Sequence, residues 1–187
     1  MEMKKIFIIS ILIFSSCVNA QTPKDEIITI ETSEGSIVLH LDSKRAPITV
    51  GNFIDLIESD YFDGSIFHRV IENFMIQGGG FDSEMNDLES LKTIPNESGN
   101  GLSNLRGTIA MARTSDPHSA NAQFFINTKD NRSLNPKSGR WGYAVFGSVI
   151  EGMDVVDKIS KKRTGPKGRF MSDVPNETVL IKNISIE

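Results

Sequence analysis

Short segments rich in β-branched and aromatic residues recur along the chain, and turn-forming residues separate them. Segments of this kind favour strands, and we count about eight of them. They lie within residues 27–32, 37–41, 67–81, 107–113, 123–127, 143–147 and 178–186. Two helices are predicted, one from Pro47 to near Asp60 and one over residues 153–159, because apolar side chains recur there at helical spacing. We therefore predict a mainly β protein, a closed eight-stranded antiparallel β-barrel capped by two α-helices, since closure leaves no strand edge exposed.

The beginning of the chain differs in character from the rest. Two lysines precede an apolar segment over residues 6–14, and small or polar residues follow up to Ala20. This order is typical of a secretory signal peptide, and the apolar segment is too short for a membrane anchor. Cleavage after Ala20 is the favoured maturation route, and lipidation of Cys17 stays open because its flanks resemble a bacterial lipoprotein box. We predict a signal peptide at 1–20 and one domain at 21–187, in a periplasmic or secreted protein or, alternatively, in a lipoprotein anchored through Cys17.

Composition and motif content argue against several kinds of site. The net charge of −4 disfavours a nucleic-acid binder, since such domains are usually basic. The single cysteine excludes an intramolecular disulfide and a cysteine-based metal site. The three histidines lack ligand spacing, glycines 78–80 lack the lysine of a phosphate loop, and no Gly-x-Ser-x-Gly elbow is present. We therefore expect no metal and no cofactor, and we interpret His40 and His68 as hydrogen-bonded structural histidines.

The stretch 67–81 carries an arginine inside an apolar run. On a strand, the Arg69 side chain points away from those of its immediate neighbours. We infer that this stretch and residues 122–127 face each other across one groove, with Arg69 as its only charged working group. The aromatic and thioether walls come from Phe74, Met75, Phe125 and Tyr143, and the neutral hydrogen-bonding groups are Gln77 and Gln123. Such a groove suits an uncharged ligand with an amide, although an ion pair with a nearby acid is an equal alternative for Arg69 taken alone.

Several long motifs together resemble the cyclophilins, which are peptidyl-prolyl cis-trans isomerases, and most closely their secreted bacterial branch. The motifs are residues 67–71, 74–79, 106–113, 122–127, 143–147 and 152–156, in one order across residues 27–186. The resemblance implies an eight-stranded barrel capped by two helices, with the active groove on its outer face. It implies an enzyme that accelerates rotation of Xaa-Pro bonds and assists the folding of exported proteins. A binding module or holdase that keeps the barrel without turnover is the alternative.

The resemblance also implies roles for individual residues. Arg69 matches the family's catalytic arginine, and Gln77 matches the glutamine that holds the substrate backbone and supports the arginine. Ala112 matches a backbone contact, and Gln123 a polar groove residue. The proline pocket corresponds to Phe74, Met75, Phe125 and Leu134. The implied partners are proline-containing unfolded or flexible polypeptides, with no nucleic acid, and the expected state is a monomer.

Three positions depart from the eukaryotic pattern of the family. Ser133 stands where that pattern has a tryptophan, Tyr143 where it has a histidine, and Arg113 where it has an asparagine. Tyr143 keeps an aromatic face and adds a hydroxyl. Ser133 lacks the indole donor that the family uses to hold cyclosporin, so we expect weak cyclosporin binding.

Overall fold

The computed structural model describes residues 26–89 and 92–187. The predicted signal peptide and Cys17 lie outside the described residues. In chain order the elements are β1 (Glu26–Thr32), β2 (Gly35–Leu41), α1 (Pro47–Glu58), β3 (Arg69–Ile71), β4 (Met75–Gly78), β5 (Thr108–Met111), β6 (Phe124–Asn127), a 3-10 helix (Arg132–Leu134), β7 (Val145–Glu151), α2 (Met153–Ser160), β8 (Thr164–Lys167), β9 (Phe170–Pro175) and β10 (Ile181–Ile186). No helix in these ranges is long and apolar enough to cross a membrane.

Eight strands form one antiparallel sheet in the order β10-β1-β2-β7-β5-β6-β4-β3. The two edge strands, β3 and β10, approach each other through the segment before β3 and the residues around the start of β10. The N–H of Gly64 donates to the carbonyl of Ile181, and the N–H of Phe67 donates to that of Val179, each at 3.0 Å. This seam is a short set of bonds rather than a continuous ladder. The predicted eight-stranded antiparallel sheet is confirmed, while "closed" overstates its curvature into a barrel.

The inner face of the sheet and both helices share one apolar core. Phe53 of α1 lies at its centre, with ring centroids 4.9 Å from Phe62, 5.4 Å from Phe124 and 5.1 Å from Phe146. Burial of aromatic rings supplies much of the apolar area that stabilises a domain of this size. Both predicted helices are therefore confirmed, and each covers the inner face of the sheet.

A two-stranded hairpin of β8 and β9 lies outside the main sheet and was not predicted. The sequence signal is weak because Pro166 removes a backbone donor from β8 and charged residues interrupt both strands. The hairpin turns at Gly168, whose φ of +56° is a conformation that favours glycine. It packs beside β3, which brings its residues close to Arg69.

His68 is buried just before β3 and contacts two aromatic rings. Its ring centroid lies 4.6 Å from that of Phe81 and 5.8 Å from that of Phe170. Burial lowers the pKa of His68 to about 4, because a charged imidazolium would lose its hydration there. The nearby charges of Arg69 and Arg169 lower the pKa further, while a hydrogen bond with the backbone of Ile66 acts in the opposite direction. A structural histidine was expected, but the side-chain Nδ1 has no hydrogen-bond partner among the described residues.

This burial predicts a pH-dependent stability. The unfolded histidine, with a pKa near 6.5, binds more protons than the folded one between that value and about 4. The contribution of His68 to the free energy of unfolding is therefore fully present above the pKa of the unfolded state. It falls as the pH falls toward the pKa of the folded state. Urea unfolding should show a loss of about 2 kcal/mol between about pH 7 and pH 5.

The variant His68→Gln should flatten this slope, because the titrating group is gone. The exposed His118 provides the control, and His118→Gln should keep the slope of the wild type. An unchanged slope in His68→Gln would show that another group is responsible.

Candidate active site

A cavity of about 340 Å³ lies on the outer face of the sheet, beside β3, β4, β5 and β6. Its walls are His68, Arg69, Phe74, Met75, Gln77, Phe81, Ala112, Arg113, Gln123, Phe125, Leu134, Tyr143, Arg169 and Phe170. All nine residues predicted for the site line this one cavity. The stretch 67–81 and residues 122–127 do not face each other across the groove as expected, because β4 and β6 are paired neighbours in one sheet and line the same side of it.

Strict alternation along the strands separates the groove from the core. On β6, Phe124 and Ile126 join the main core, while Phe125 between them joins a second apolar cluster. On β4, Ile76 points into the core and Met75 points into the second cluster. Successive side chains of a strand point to opposite faces, so each apolar run serves two surfaces.

The second cluster forms an apolar pocket at the bottom of the groove. Met75 and Phe125 are its buried floor, with 2% and 4% of their surface exposed. The Tyr143 ring meets that of Phe125 edge to face, with centroids 5.7 Å apart. Phe74 and Leu134 pack at its margin. A pocket with these walls accepts a compact apolar ring.

Strand register places the polar groups beside this pocket. Arg69 pairs with Gln77 across β3 and β4, and Gln77 pairs with Phe125 across β4 and β6. Directly opposed residues share one face of a sheet, with their Cβ atoms about 5 Å apart. Arg69, Gln77 and Phe125 therefore form one row, which runs from a cation through an amide to an aromatic ring.

The Gln77 side chain bonds to Gln123 rather than to Arg69. Its Nε2 donates to the Oε1 of Gln123 at 3.0 Å. No hydrogen bond joins Gln77 to Arg69 in the structure, although the two residues are direct neighbours across the strands. The support of the arginine that the resemblance implies is therefore not made by such a bond. Gln123 in turn fixes Ala112, whose N–H donates to the Gln123 carbonyl at 2.8 Å.

The glycines after β4 make room for Gln123. A Cβ on Gly80 would lie 2.4 Å from the Gln123 side chain, well inside contact distance. Gly79 has a φ of +76°, which side chains rarely tolerate. The glycine run therefore shapes the backbone beside the groove, in agreement with the interpretation that it is not a phosphate loop.

A buried asparagine network holds the loop that carries Leu134. The Nδ2 of Asn131 donates to the Oδ1 of Asn127 and to the backbone carbonyl of Phe74, each at 2.7 Å. Asn127 donates in turn to the Oδ1 of Asn104 at 3.2 Å. These amides are buried, and buried polar groups are stable only when paired in this way. The network was not predicted, since asparagines in a loop more often indicate turns.

The expectation that Arg69 is the only charged group of the groove is wrong. Arg113 and Arg169 line the same cavity. The Arg113 guanidinium lies 4.5 Å from the ring centroid of Tyr143 and donates to the carbonyls of Thr114, Trp141 and Gly142. The lining therefore contains three arginines and no acidic residue, although the chain is acidic overall. Within the described ranges, no group of three histidine, cysteine, aspartate or glutamate side chains is placed to hold a metal ion.

Arg69 also forms the ion pair that the sequence left open. Its Nε lies 3.6 Å from the Oδ2 of Asp173 on β9. On the same hairpin, Arg169 stacks over Phe81 with its Cζ 4.7 Å from the ring centroid, and it pairs with Asp87. Sequence reasoning missed these residues because the hairpin itself was missed. The six residues of β9 show no two-residue alternation of apolar and polar side chains that would identify it as a strand.

The comparisons with known proteins agree with this geometry. Residues 27–186 match the sequence model of the family described as cyclophilin type peptidyl-prolyl cis-trans isomerase/CLD. Peptidyl-prolyl cis-trans isomerase cyp18 of Streptomyces antibioticus is 53% identical over 162 residues, which cover 85% of this chain and 97% of the relative. Peptidyl-prolyl cis-trans isomerase B of Escherichia coli is 49% identical over 164 residues, covering 86% and 99%. Peptidyl-prolyl cis-trans isomerase A of Dickeya dadantii is 45% identical over 181 residues, covering 97% and 94%.

A solved structure shows the same fold. The cyclophilin type peptidyl-prolyl cis-trans isomerase of Cryptosporidium parvum superposes with a TM-score of 0.71 at 25% identity, covering 88% of this chain and 98% of its own. A second crystal structure of that protein, obtained in the presence of the dipeptide Ala-Pro, gives a TM-score of 0.69, with 86% and 98% covered at 26% identity. With this fold and these relatives, the chain belongs to the cyclophilin-type peptidyl-prolyl cis-trans isomerases.

Proposed function

We propose that the groove binds an Xaa-Pro segment of a flexible polypeptide and that Arg69 is its catalytic residue. The observation that carries the proposal is the row of Arg69, Gln77 and Phe125 across three neighbouring strands. It sets a guanidinium beside an apolar pocket with an amide between them. The presence of Ala-Pro in a related crystal structure supports a proline-containing ligand.

The pocket and the arginine have separate tasks in this proposal. Phe74, Met75, Phe125 and Leu134 hold the proline ring. Gln77, Gln123 and the backbone of Ala112 hold the peptide units on either side, and Tyr143 closes the aromatic wall. With the ring fixed, the residue before the proline rotates about the amide bond. No covalent step and no proton transfer is needed.

Arg69 acts on the electronic change that accompanies rotation. A planar prolyl amide faces a barrier of about 18–20 kcal/mol, because resonance gives the C–N bond double-bond character. At the twisted transition state that resonance is lost, and the nitrogen carries a localised lone pair. A donor aimed at this nitrogen stabilises the transition state more than the ground state. A charged hydrogen bond that contributes about 3 kcal/mol would accelerate rotation about a hundredfold.

Arg69→Ala should therefore lower kcat/KM for a short Xaa-Pro peptide by about a hundredfold, through loss of the donor. Protease-coupled isomerisation assays measure this ratio directly. Because the Arg69 side chain is partly exposed, the free energy of unfolding should change by less than about 1 kcal/mol.

Arg45→Ala is the matched control. Arg45 is an exposed arginine that also pairs with an aspartate, Asp42, but it does not line the groove. Its removal should leave kcat/KM unchanged. Full activity in folded Arg69→Ala would refute the catalytic role and favour a binding module.

We also propose that cyclosporin binds weakly. Ser133 offers only a short hydroxyl, and its carbonyl accepts a hydrogen bond from Arg140 at 2.8 Å. Calorimetric titration should give a Kd of about 1 μM or weaker. Ser133→Trp should tighten binding, whereas Ser138→Trp, on the same loop, should not. Tight binding by the wild type would contradict the proposal.

We further propose that the protein assists the folding of exported proteins, as a monomer in the periplasm or outside the cell. The family match begins at residue 27, which supports a separate leader at 1–20 and a mature domain at 21–187. The matches to the Streptomyces antibioticus and Escherichia coli relatives cover 97% and 99% of those proteins but only 85% and 86% of this chain.

The mature N-terminus tests this localisation. Mass spectrometry of the protein from fractionated bacterial cells should find a chain that starts at Gln21 in the soluble envelope fraction. Cys17→Ser should not change that mass or that fraction. A diacylated Cys17 in the membrane fraction would instead establish the lipoprotein alternative.

A further inference from the structure

The hairpin of β8 and β9 places one carboxylate directly beside Arg69. The Oδ2 of Asp173 lies 3.6 Å from the Nε of Arg69, and the two side chains are 32% and 39% exposed. Among the described residues, the Arg69 side chain has no other ion pair and no hydrogen bond. Asp173 is therefore the one described acidic group that is paired with this guanidinium.

The backbone of β9 is distorted at this residue. Asp173 has a φ of +69°, in the left-handed region. The register of the hairpin shifts between Gly165 and Lys167, opposite this part of β9, where Pro166 has no N–H for the ladder. Bulges of this kind occur next to active sites, where they turn a side chain in a new direction.

The left-handed backbone at Asp173 is energetically unfavourable, and the packing of its neighbours does not require it. A left-handed conformation is unfavourable for a residue with a side chain, although aspartate tolerates it better than most. Val174 and Pro175 are buried and anchor the strand, whereas Asp173 is only partly buried and contributes to neither apolar cluster. Strain held at a site of this kind is a sign of function. Here the carboxylate of the strained residue lies beside Arg69.

The Asp173 carboxylate contacts Arg69 through Nε, and the two Nη groups of the guanidinium stay available to a ligand. Arginine presents five N–H donors in a rigid plane, of which Nε carries one. A carboxylate at Nε fixes the direction of the plane, while both Nη groups stay available to a ligand. Gln77 does not perform this task, because its amide is bonded to Gln123 at 3.0 Å.

We propose that Asp173 is a positioning residue for Arg69, holding the guanidinium plane toward the pocket in which the proline ring binds. This inference rests on the proposed function of Arg69. It concerns orientation and not the reacting atoms, because Asp173 itself does not line the cavity. An ordinary surface ion pair would contribute only to stability and would be independent of turnover.

The variant Asp173→Asn tests the proposal. Asparagine tolerates the left-handed backbone and keeps the shape of the side chain but removes the charge. We expect kcat/KM for a neutral Xaa-Pro peptide to fall about two- to fivefold, the range for a partly exposed ion pair. The loss should lie in kcat with KM unchanged, since orientation matters most at the transition state. Glu177→Gln, which removes an exposed carboxylate just beyond β9, should have no effect.

A double-mutant cycle with Arg69→Ala separates positioning from a structural effect. In the Arg69→Ala background, Asp173→Asn should cause no further loss, because the group it orients is gone. An additive loss, or full activity of Asp173→Asn alone, would overturn the positioning role. If Arg69→Ala itself kept full activity, the proposed function would fail instead, so the two failures are distinguishable.

Discussion

The two-residue alternation of side chains along β4, β5, β6 and β7 determines both the core and the groove. One set of side chains fills the core beneath α1, and the other set forms the apolar floor of the groove. Phe124 and Phe125 are adjacent in sequence but serve opposite faces of the sheet. A shift of register by one residue would exchange core and groove, so the same pairing that stabilises the fold also builds the site.

The groove joins this apolar floor to an arginine whose direction is controlled from outside the sheet. Arg69 lies on the edge strand β3, where few neighbours restrict its side chain. A partly exposed guanidinium would otherwise sample several rotamers and lose part of its interaction with a ligand. The hairpin beyond α2 supplies the missing restraint through Asp173. Catalysis by orientation and hydrogen bonding needs this kind of preorganisation, because no covalent step compensates for poor geometry.

The sequence predicted the parts of the site that repeat the motifs of the family and lie on regular strands. Met75, Gln77 and Phe125 follow the two-residue alternation of their strands, whereas Phe74 lies just before β4 and was predicted from its motif. The sheet and both helices were predicted from the periodicity of apolar residues. The hairpin was missed, because Pro166 interrupts its first strand. Asp173 could not be predicted, since its direction depends on a bulge and on a contact between distant segments. The buried asparagines were equally hidden, because their pairing is purely tertiary.

In the proposed mechanism, the Arg69 guanidinium stabilises the twisted amide rather than binding the resting peptide. NMR exchange spectroscopy of a saturating Xaa-Pro peptide measures the interconversion of its cis and trans forms while it is bound. For Arg69→Ala, bound-state exchange should slow about a hundredfold, while the Kd of the peptide should change less than about threefold. Unchanged exchange on the folded variant, or a loss of activity that arises wholly from weaker binding, would contradict it.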